Sequence, residues 1–247
     1  MARHKTTPPD LLYQAEPIQR LTEEGASAGD SESTADDGSP ESPLGHELLY
    51  RGEGRDPDED LLKALGGAEL TMEGHLHINL DGSRATSISD ELMELAAARH
   101  RIVIEWVEGN NAISSRMTNL VGSRLDTWRK RFGVHIAIDD WDGTEEGDAR
   151  FHAVDDAPDI VKVCGPLFRR AIAGDVEARR LVAGFLEQVR AEGEHIQRVA
   201  EWVEHACELE DAQAMGANAA QGYVYTSERI LIPSGGSGSG SSTDNDE

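Results

Sequence analysis

Cysteine is scarce: only Cys164 and Cys207 occur in 247 residues, with no metal-ligand spacing between them. Two such cysteines give no basis for a disulfide framework and favour a reducing compartment, expected to be the cytoplasm. Long apolar runs are missing as well. No stretch of about 18 apolar residues exists and the first residues carry no secretory h-region, so the expectation is a soluble chain that neither spans a membrane nor is exported by that route. Positive charge is the third shortage, with 23 Lys and Arg against 47 Asp and Glu and a net charge of −24. That balance argues against a nucleic-acid polymer or an anionic membrane surface as partner. Acid enrichment along the whole chain, with few Lys and 5% aromatics, suggests a high-salt (halophilic) cytoplasm where screening is strong. An ordinary acidic cytosolic protein shows the same balance.

What remains suffices for one sizeable core: 38% of the residues are hydrophobic, and a single barrel domain commonly has this length. Residues 1–9 read as a polar lead and 10–232 as the domain. Within it, residues 22–43 are nearly free of large apolar side chains and cannot offset their ordering entropy, which makes them a mobile acidic insertion. Residues 233–247 are a Gly/Ser-rich acidic tail.

The most informative stretch is residues 134–140, Val-His-Ile-Ala-Ile-Asp-Asp, an apolar run between Gly133 and Gly143 that ends in two carboxylates. It reads as a parallel strand covered on both faces. Adjacent carboxylates at its end repel each other in low dielectric unless a cation or protons intervene. One Asp-Asp pair in so acidic a chain is as readily a solvated loop start; repetition changes the balance. His75-Leu-His-Ile-Asn79-Leu, Arg101-Ile-Val-Ile-Glu105, Pro158-Asp-Ile-Val-Lys162 and Ile196-Gln-Arg-Val-Ala-Glu201 share the design of a β-prone run ending in one polar residue. Helical patterns separate them, at residues 60–65, 89–100, 112–132, 145–154, 171–191 and onward to Gly216. Ser89 caps the second with Leu92, Leu95 and Ala96 on one face, and Leu181, Phe185 and Val189 face inward in the fifth. Further strands are expected at 11–18, with Pro17 suggesting an edge or bulge, at 44–51 and at 220–225. This alternation predicts an α/β barrel, whose chemistry gathers at the strand C-termini.

If the barrel closes, Glu47, Asn79, Glu105, Asp139 and Asp140 converge at one mouth. Oxygen donors without thiolates suit Mg²⁺ or Mn²⁺. Lys162 adds positive charge and Glu201 a candidate base, the equipment of metal-assisted phosphoryl hydrolysis. His75 and His77 read as packing or surface histidines, Trp106, Trp128 and Trp202 as packing between helices and barrel, and Cys207 as a helical residue without a partner.

At these residues the chain resembles the EAL domain family of cyclic di-GMP phosphodiesterases. Glu47-Leu48-Leu49, followed by Tyr50 and Arg51, resembles the motif that names the family. Asn79 is similar to its strand-end Asn, Glu105 and Glu108 to its Glu-x-Thr-Glu pair, Asp139-Asp140 to its double Asp and Lys162 to its active-site Lys. Glu201 lies in Ala-Glu-Trp-Val-Glu, similar to Ala-Glu-Gly-Val-Glu, and Gln221-Gly222-Tyr223 matches the closing Gln-Gly-Tyr. Single motifs are weak; seven in order are strong. The resemblance implies a modified (β/α)₈ barrel with an antiparallel first strand, hydrolysis of cyclic di-GMP, and a homodimer. It implies metal at Glu47, Asn79, Glu105, Asp139 and Asp140, substrate near Arg51 and Leu49, and catalytic roles for Lys162, Glu201 and Gln221.

The chain departs from the family at three places. The loop after the double Asp, which in the family couples dimerisation to metal binding, here runs Trp141-Asp-Gly-Thr-Glu-Glu-Gly-Asp-Ala. The family's Asp two residues beyond the Lys is Cys164, and the Gly of Ala-Glu-Gly-Val-Glu is Trp202. A catalytically silent receptor or interaction module that passes the cyclic di-GMP signal to a partner protein is the alternative reading.

Overall fold

Every residue of Ile-Val-Ile-Glu-Trp at 102–106 is buried, which requires a sheet covered on both faces. The computed structural model describes residues 11–21, 42–51, 58–67, 70, 72–107 and 114–232. Its strands are β1 (Leu11–Arg20), β2 (Gly45–Tyr50), β3 (His75–Leu80), β4 (Ile102–Trp106), β5 (His135–Trp141), β6 (Ile160–Val163), β7 (Gln197–Ala200), β8 (Ala219–Gln221) and β9 (Glu228–Ile232). Strands β2 to β8 run parallel in sequence order, and antiparallel β1 bonds to both β2 and β8, closing an eight-stranded barrel. This is the modified (β/α)₈ barrel with an antiparallel first strand. Strand β9 extends the wall along Leu11 to Ala15 of β1.

Pro17 is not at an edge, because β1 has partners on both sides. The carbonyls of Leu12 and Ile18 accept bonds from the β2 side, so the even residues turn their backbone groups there and Pro17 turns the other way. On that side β9 pairing ends at Ala15 and β8 pairing begins at Ile18, so the missing N–H of Pro17 falls in the gap between the two ladders.

The helices are α1 (Asp58–Gly67), α2 (Gly82–Ser87), α3 (Asp90–Ala97), α4 (Ser115–Phe132), α5 (Glu145–His152), α6 (Gly165–Ile172), α7 (Val176–Glu192) and α8 (Ala206–Ala214). Ser89, Ser114 and Thr144 cap α3, α4 and α5 through their hydroxyls, so the helix expected to be irregular over 145–154 is regular. The single helix expected over 171–191 is two, broken where Gly174 takes a φ of 96° and Asp175 caps α7. The inward faces also shift. Leu95 and Leu181 are 54% and 42% exposed, while Met93 with Ala96 and Val182 with Phe185 and Leu186 are buried. Helix α2 and strand β9 were not anticipated. The expected lead, the tail and all of the insertion except Ser42 and Pro43 lie outside the described residues.

Gly122 in α4 shows how closely the outer layer packs: a Cβ there would stand 2.0 Å from the carbonyl oxygen of Ala153 at the end of α5. Gly122→Ala is therefore expected to destabilise by about 1–3 kcal/mol through overpacking, despite a helix-propensity gain approaching 1 kcal/mol. Urea unfolding with an unchanged slope would measure it.

The barrel interior is layered. Ile18, Val103, Ala137, Ile160, Val199 and Ala219 form an apolar floor. Because strand side chains alternate, the residues two positions further along β4 to β8 point into the same interior one layer higher: Glu105, Asp139, Lys162, Glu201 and Gln221.

Candidate active site

Lys162, fully buried, stands at the centre of that upper layer. Its Nζ lies 2.9 Å from Glu47 Oε2, 3.0 Å from Glu105 Oε2, 2.9 Å from Asp139 Oδ1 and 2.9 Å from Glu201 Oε1. Burial opposes its charge, yet Asp139, Glu105, Glu201 and Glu47 together hold its pKa well above the usual lysine value. One ammonium does not balance four carboxylates. Burial pushes Glu105 and Glu201 well above the ordinary carboxylate range, helped in Glu105 by Glu47 and in Glu201 by Asp139. Burial also opposes ionisation of Glu47, but Lys162 and hydrogen bonds from Gln221 and Asn79 bring it down to about 2.

Strand β5 is irregular at its end. Its register against β6 shifts between Ile138 and Trp141, and Asp140 takes a φ of 50°. The bulge keeps Asp139 buried and turns Asp140 out to the mouth. Asp140 is raised to about 6 by burial and by Asp139. Arg150 of α5 braces this bend: its Nη1 donates to the carbonyls of Trp106 and Asp139, both at 2.7 Å, and its Nη2 to that of Asp140 at 3.3 Å.

Among the described residues, two groups of carboxylates have oxygens within 4.8 Å of one another, Glu47 with Glu105 and Asp139, and Asp139 with Asp140 and Glu201. Two amides border them. Asn79 Nδ2 donates to Glu47 Oε1 at 2.6 Å and Gln221 Nε2 to Glu47 Oε2 at 2.5 Å. Their oxygens, Asn79 Oδ1 and Gln221 Oε1, are buried with no hydrogen-bond donor among the described residues. Orphaned acceptors beside surplus negative charge are what a hard divalent cation requires. The donor set therefore fits a hard divalent cation.

His77, expected as a packing or surface histidine, is a neighbour of the site. It is buried, its pKa falls well below the usual value through burial and then Lys162, and its Nδ1 lies 2.7 Å from Glu105 Oε1. The contact between the neutral ring and Glu105 aims the carboxylate. The inward period of β3, shared by His77 and Asn79, was the signal for it. Arg150 had no comparable signal.

The carboxylates open into a cleft of about 450 Å³ whose walls include Leu49, Val107, Trp202 and Gly222. Leu49 lies in this wall. Arg51 is exposed at the rim, its Nε donating to Gln14 Oε1 at 3.0 Å, and is not among the cleft residues. Glu108 lies outside the described residues. Trp202, expected to pack inside, is 54% exposed. Cys164 is a neutral thiol, raised to about 11 by burial, and adds no charge.

The EAL domain profile matches residues 60–227. The chain belongs to the EAL domain family. Among solved structures it is similar to the EAL protein BlrP1 of Klebsiella pneumoniae in a manganese and cyclic di-GMP complex, at 21% identity and a TM-score of 0.64, covering 94% of this chain and 59% of that one. A standalone EAL protein of Vibrio cholerae O395 with cyclic di-GMP bound gives 21% and 0.61, covering 88% and 92%. The cAMP-bound EAL enzyme Bd1971 gives 18% and 0.60, covering 91% and 63%. This chain thus spans about three-fifths of BlrP1 and Bd1971. No curated protein matches the sequence significantly.

Proposed function

We propose that this EAL domain hydrolyses cyclic di-GMP to the linear dinucleotide with the help of Mg²⁺ or Mn²⁺. The observation that carries the reading is the pair of carboxylate groups sharing Asp139, bordered by unpartnered amide oxygens, at the strand ends of the barrel. Divalent cations held there by Glu47, Asn79, Glu105, Asp139 and Asp140 would neutralise phosphodiester charge and acidify water. Lys162 fixes the carboxylates relative to one another and offsets part of their charge beneath the cleft. Glu201, beside Asp139 and Asp140 and with its proton affinity raised by burial, is suited to accept the proton of an attacking water. Gln221 and Asn79 hold Glu47 ionised and in place. A cytoplasmic setting, a single domain over residues 10–232 with flanking lead and tail, and a homodimer belong to the same proposal. A signalling partner protein belongs to the second reading, a binding-only receptor, which Cys164 and Trp202 favour because they stand where the family has Asp and Gly.

Incubation with cyclic di-GMP and Mn²⁺ or Mg²⁺ at high salt, followed by product analysis, separates the two. Linear dinucleotide sustains the enzyme; binding without turnover leaves the receptor. His77→Phe is expected to keep the fold and lower metal affinity by about 10–100-fold, because Glu105 loses the hydrogen-bond partner that orients it. Calorimetric titration with Mn²⁺ would measure that, and an unchanged affinity would confine His77 to packing.

A further inference from the structure

The tryptophan at the cleft wall is out of keeping with its surroundings. Trp202 follows Glu201 directly, takes a φ of 55° in the left-handed region that disfavours residues with a side chain, and is 54% exposed. Trp106, Trp128 and Trp141 are all buried. The Trp202 indole rests on Gly165, the first residue of α6, so closely that a Cβ on Gly165 would lie 2.1 Å from its Cγ and Cδ2. Its backbone is clamped from the other side: Val203 N donates to Gln221 O at 3.1 Å and Val224 N to Val203 O at 2.9 Å. A Cβ on Gly222 would fall 2.4 Å from Val203 N. Strained backbone, a glycine seat and a second glycine clamp thus hold a large aromatic surface in the wall of the cleft that contains Asp139, Asp140 and Glu201. Burying the ring is not what this arrangement achieves, since most of it faces solvent.

We propose that Trp202 is a stacking platform for a purine base of the nucleotide, placed so that a phosphodiester on the ribose of that base reaches the carboxylate groups beside it. This rests on the proposed cyclic di-GMP reading and adds a specificity residue to it. A planar base has a π-face that an indole can cover whatever its hydrogen-bond pattern, so the contact selects for a nucleobase while the carboxylate site selects for the phosphodiester. A ring seated on Gly165 loses little side-chain freedom on binding.

The test is titration of the full chain with cyclic di-GMP in Ca²⁺, followed by calorimetry and tryptophan emission. W202G suits the backbone, since glycine accepts the positive φ. It is expected to raise Kd about tenfold or more, with W202Y closer to wild type than to W202G. In wild type, binding should quench the exposed, acrylamide-accessible part of the emission, which Trp202 supplies. Equal affinity of wild type and folded W202G overturns the platform and leaves the functional reading standing. Calorimetric binding to wild type that leaves the exposed emission unchanged overturns it without any variant. Absence of binding to wild type overturns both.

Discussion

Lys162→Met is expected to destabilise the metal-free protein by about 3–5 kcal/mol at neutral pH, the cost of stripping a buried charge of its partner. Methionine has nearly the length of lysine, so little cavity results, and the loss is electrostatic: Glu47, Glu105, Asp139 and Glu201 are left facing one another without the ammonium that touches all four. The loss must depend on pH, with a sign fixed by the carboxylates. Glu105 and Glu201 have folded pKa values well above 4.5, so their contribution is fully present below that value and is lost as pH rises through their raised values. Glu47, held at about 2, contributes above 4.5 and loses that contribution as pH falls toward 2. In Lys162→Met the raised pair titrates higher and Glu47 loses its main favourable partner. The variant should therefore fall further below wild type as pH climbs above 4.5, and saturating Mn²⁺ should recover much of the difference. Urea unfolding in chelator across that range measures it. An equal deficit at every pH would mean that only packing was lost.

The arrangement around Lys162 was half legible in the sequence, for a definite reason. Side chains in a strand alternate, so Val103 with Glu105, Ala137 with Asp139, Ile160 with Lys162 and Val199 with Glu201 must each face the same way, and the apolar members form the barrel floor. A sequence can show that polar residues end several such runs, and hence that they meet once the barrel closes. It cannot show that one ammonium reaches four carboxylates, because that depends on barrel tilt and stagger.

Other features were written locally but in ambiguous form. Gly174 followed by Asp175 is a stop and a start, and the pair divides α6 from α7 where a continuous apolar period had predicted one helix. Asp139-Asp140 gave no hint that Asp140 would adopt a positive φ, because that conformation comes from the bulge against β6 and the brace of Arg150. Trp202 departs from the packing role expected of it, being 54% exposed, whereas His77 is buried as a packing histidine can be and also touches Glu105. His77 has the inward phase of Asn79, and Trp202 follows a strand-end carboxylate where a helical or core environment is not on offer.

Asp139→Asn is expected to remove most of the rise in melting temperature that Mn²⁺ or Mg²⁺ gives the wild type, because Asp139 is the residue shared by both carboxylate groups. For wild type that rise corresponds to about 2.7 kcal/mol at a metal concentration 100 times Kd. Asparagine preserves the shape, and Arg150 still holds the backbone carbonyl of residue 139, so the strand end should stay in place. The metal-free protein should respond differently. Four carboxylates surround one ammonium, and removing one charge from that surplus costs the Lys162 contact at 2.9 Å while relieving repulsion with Asp140 and Glu105. The net change without metal is thus small or stabilising, whereas the metal-loaded form is clearly weakened. Opposite behaviour of the two forms distinguishes a ligand from an ordinary acidic surface residue, whose loss alters both alike. Salt shrinks the metal-free difference, so the comparison belongs at the lowest ionic strength at which the protein stays folded. Turnover of cyclic di-GMP should fall by at least about 100-fold, since even residues that only orient metal ligands cost up to that factor. A metal-induced shift of wild-type size in Asp139→Asn would remove Asp139 from the ligand set, and with it the main support for metal-assisted hydrolysis at this mouth.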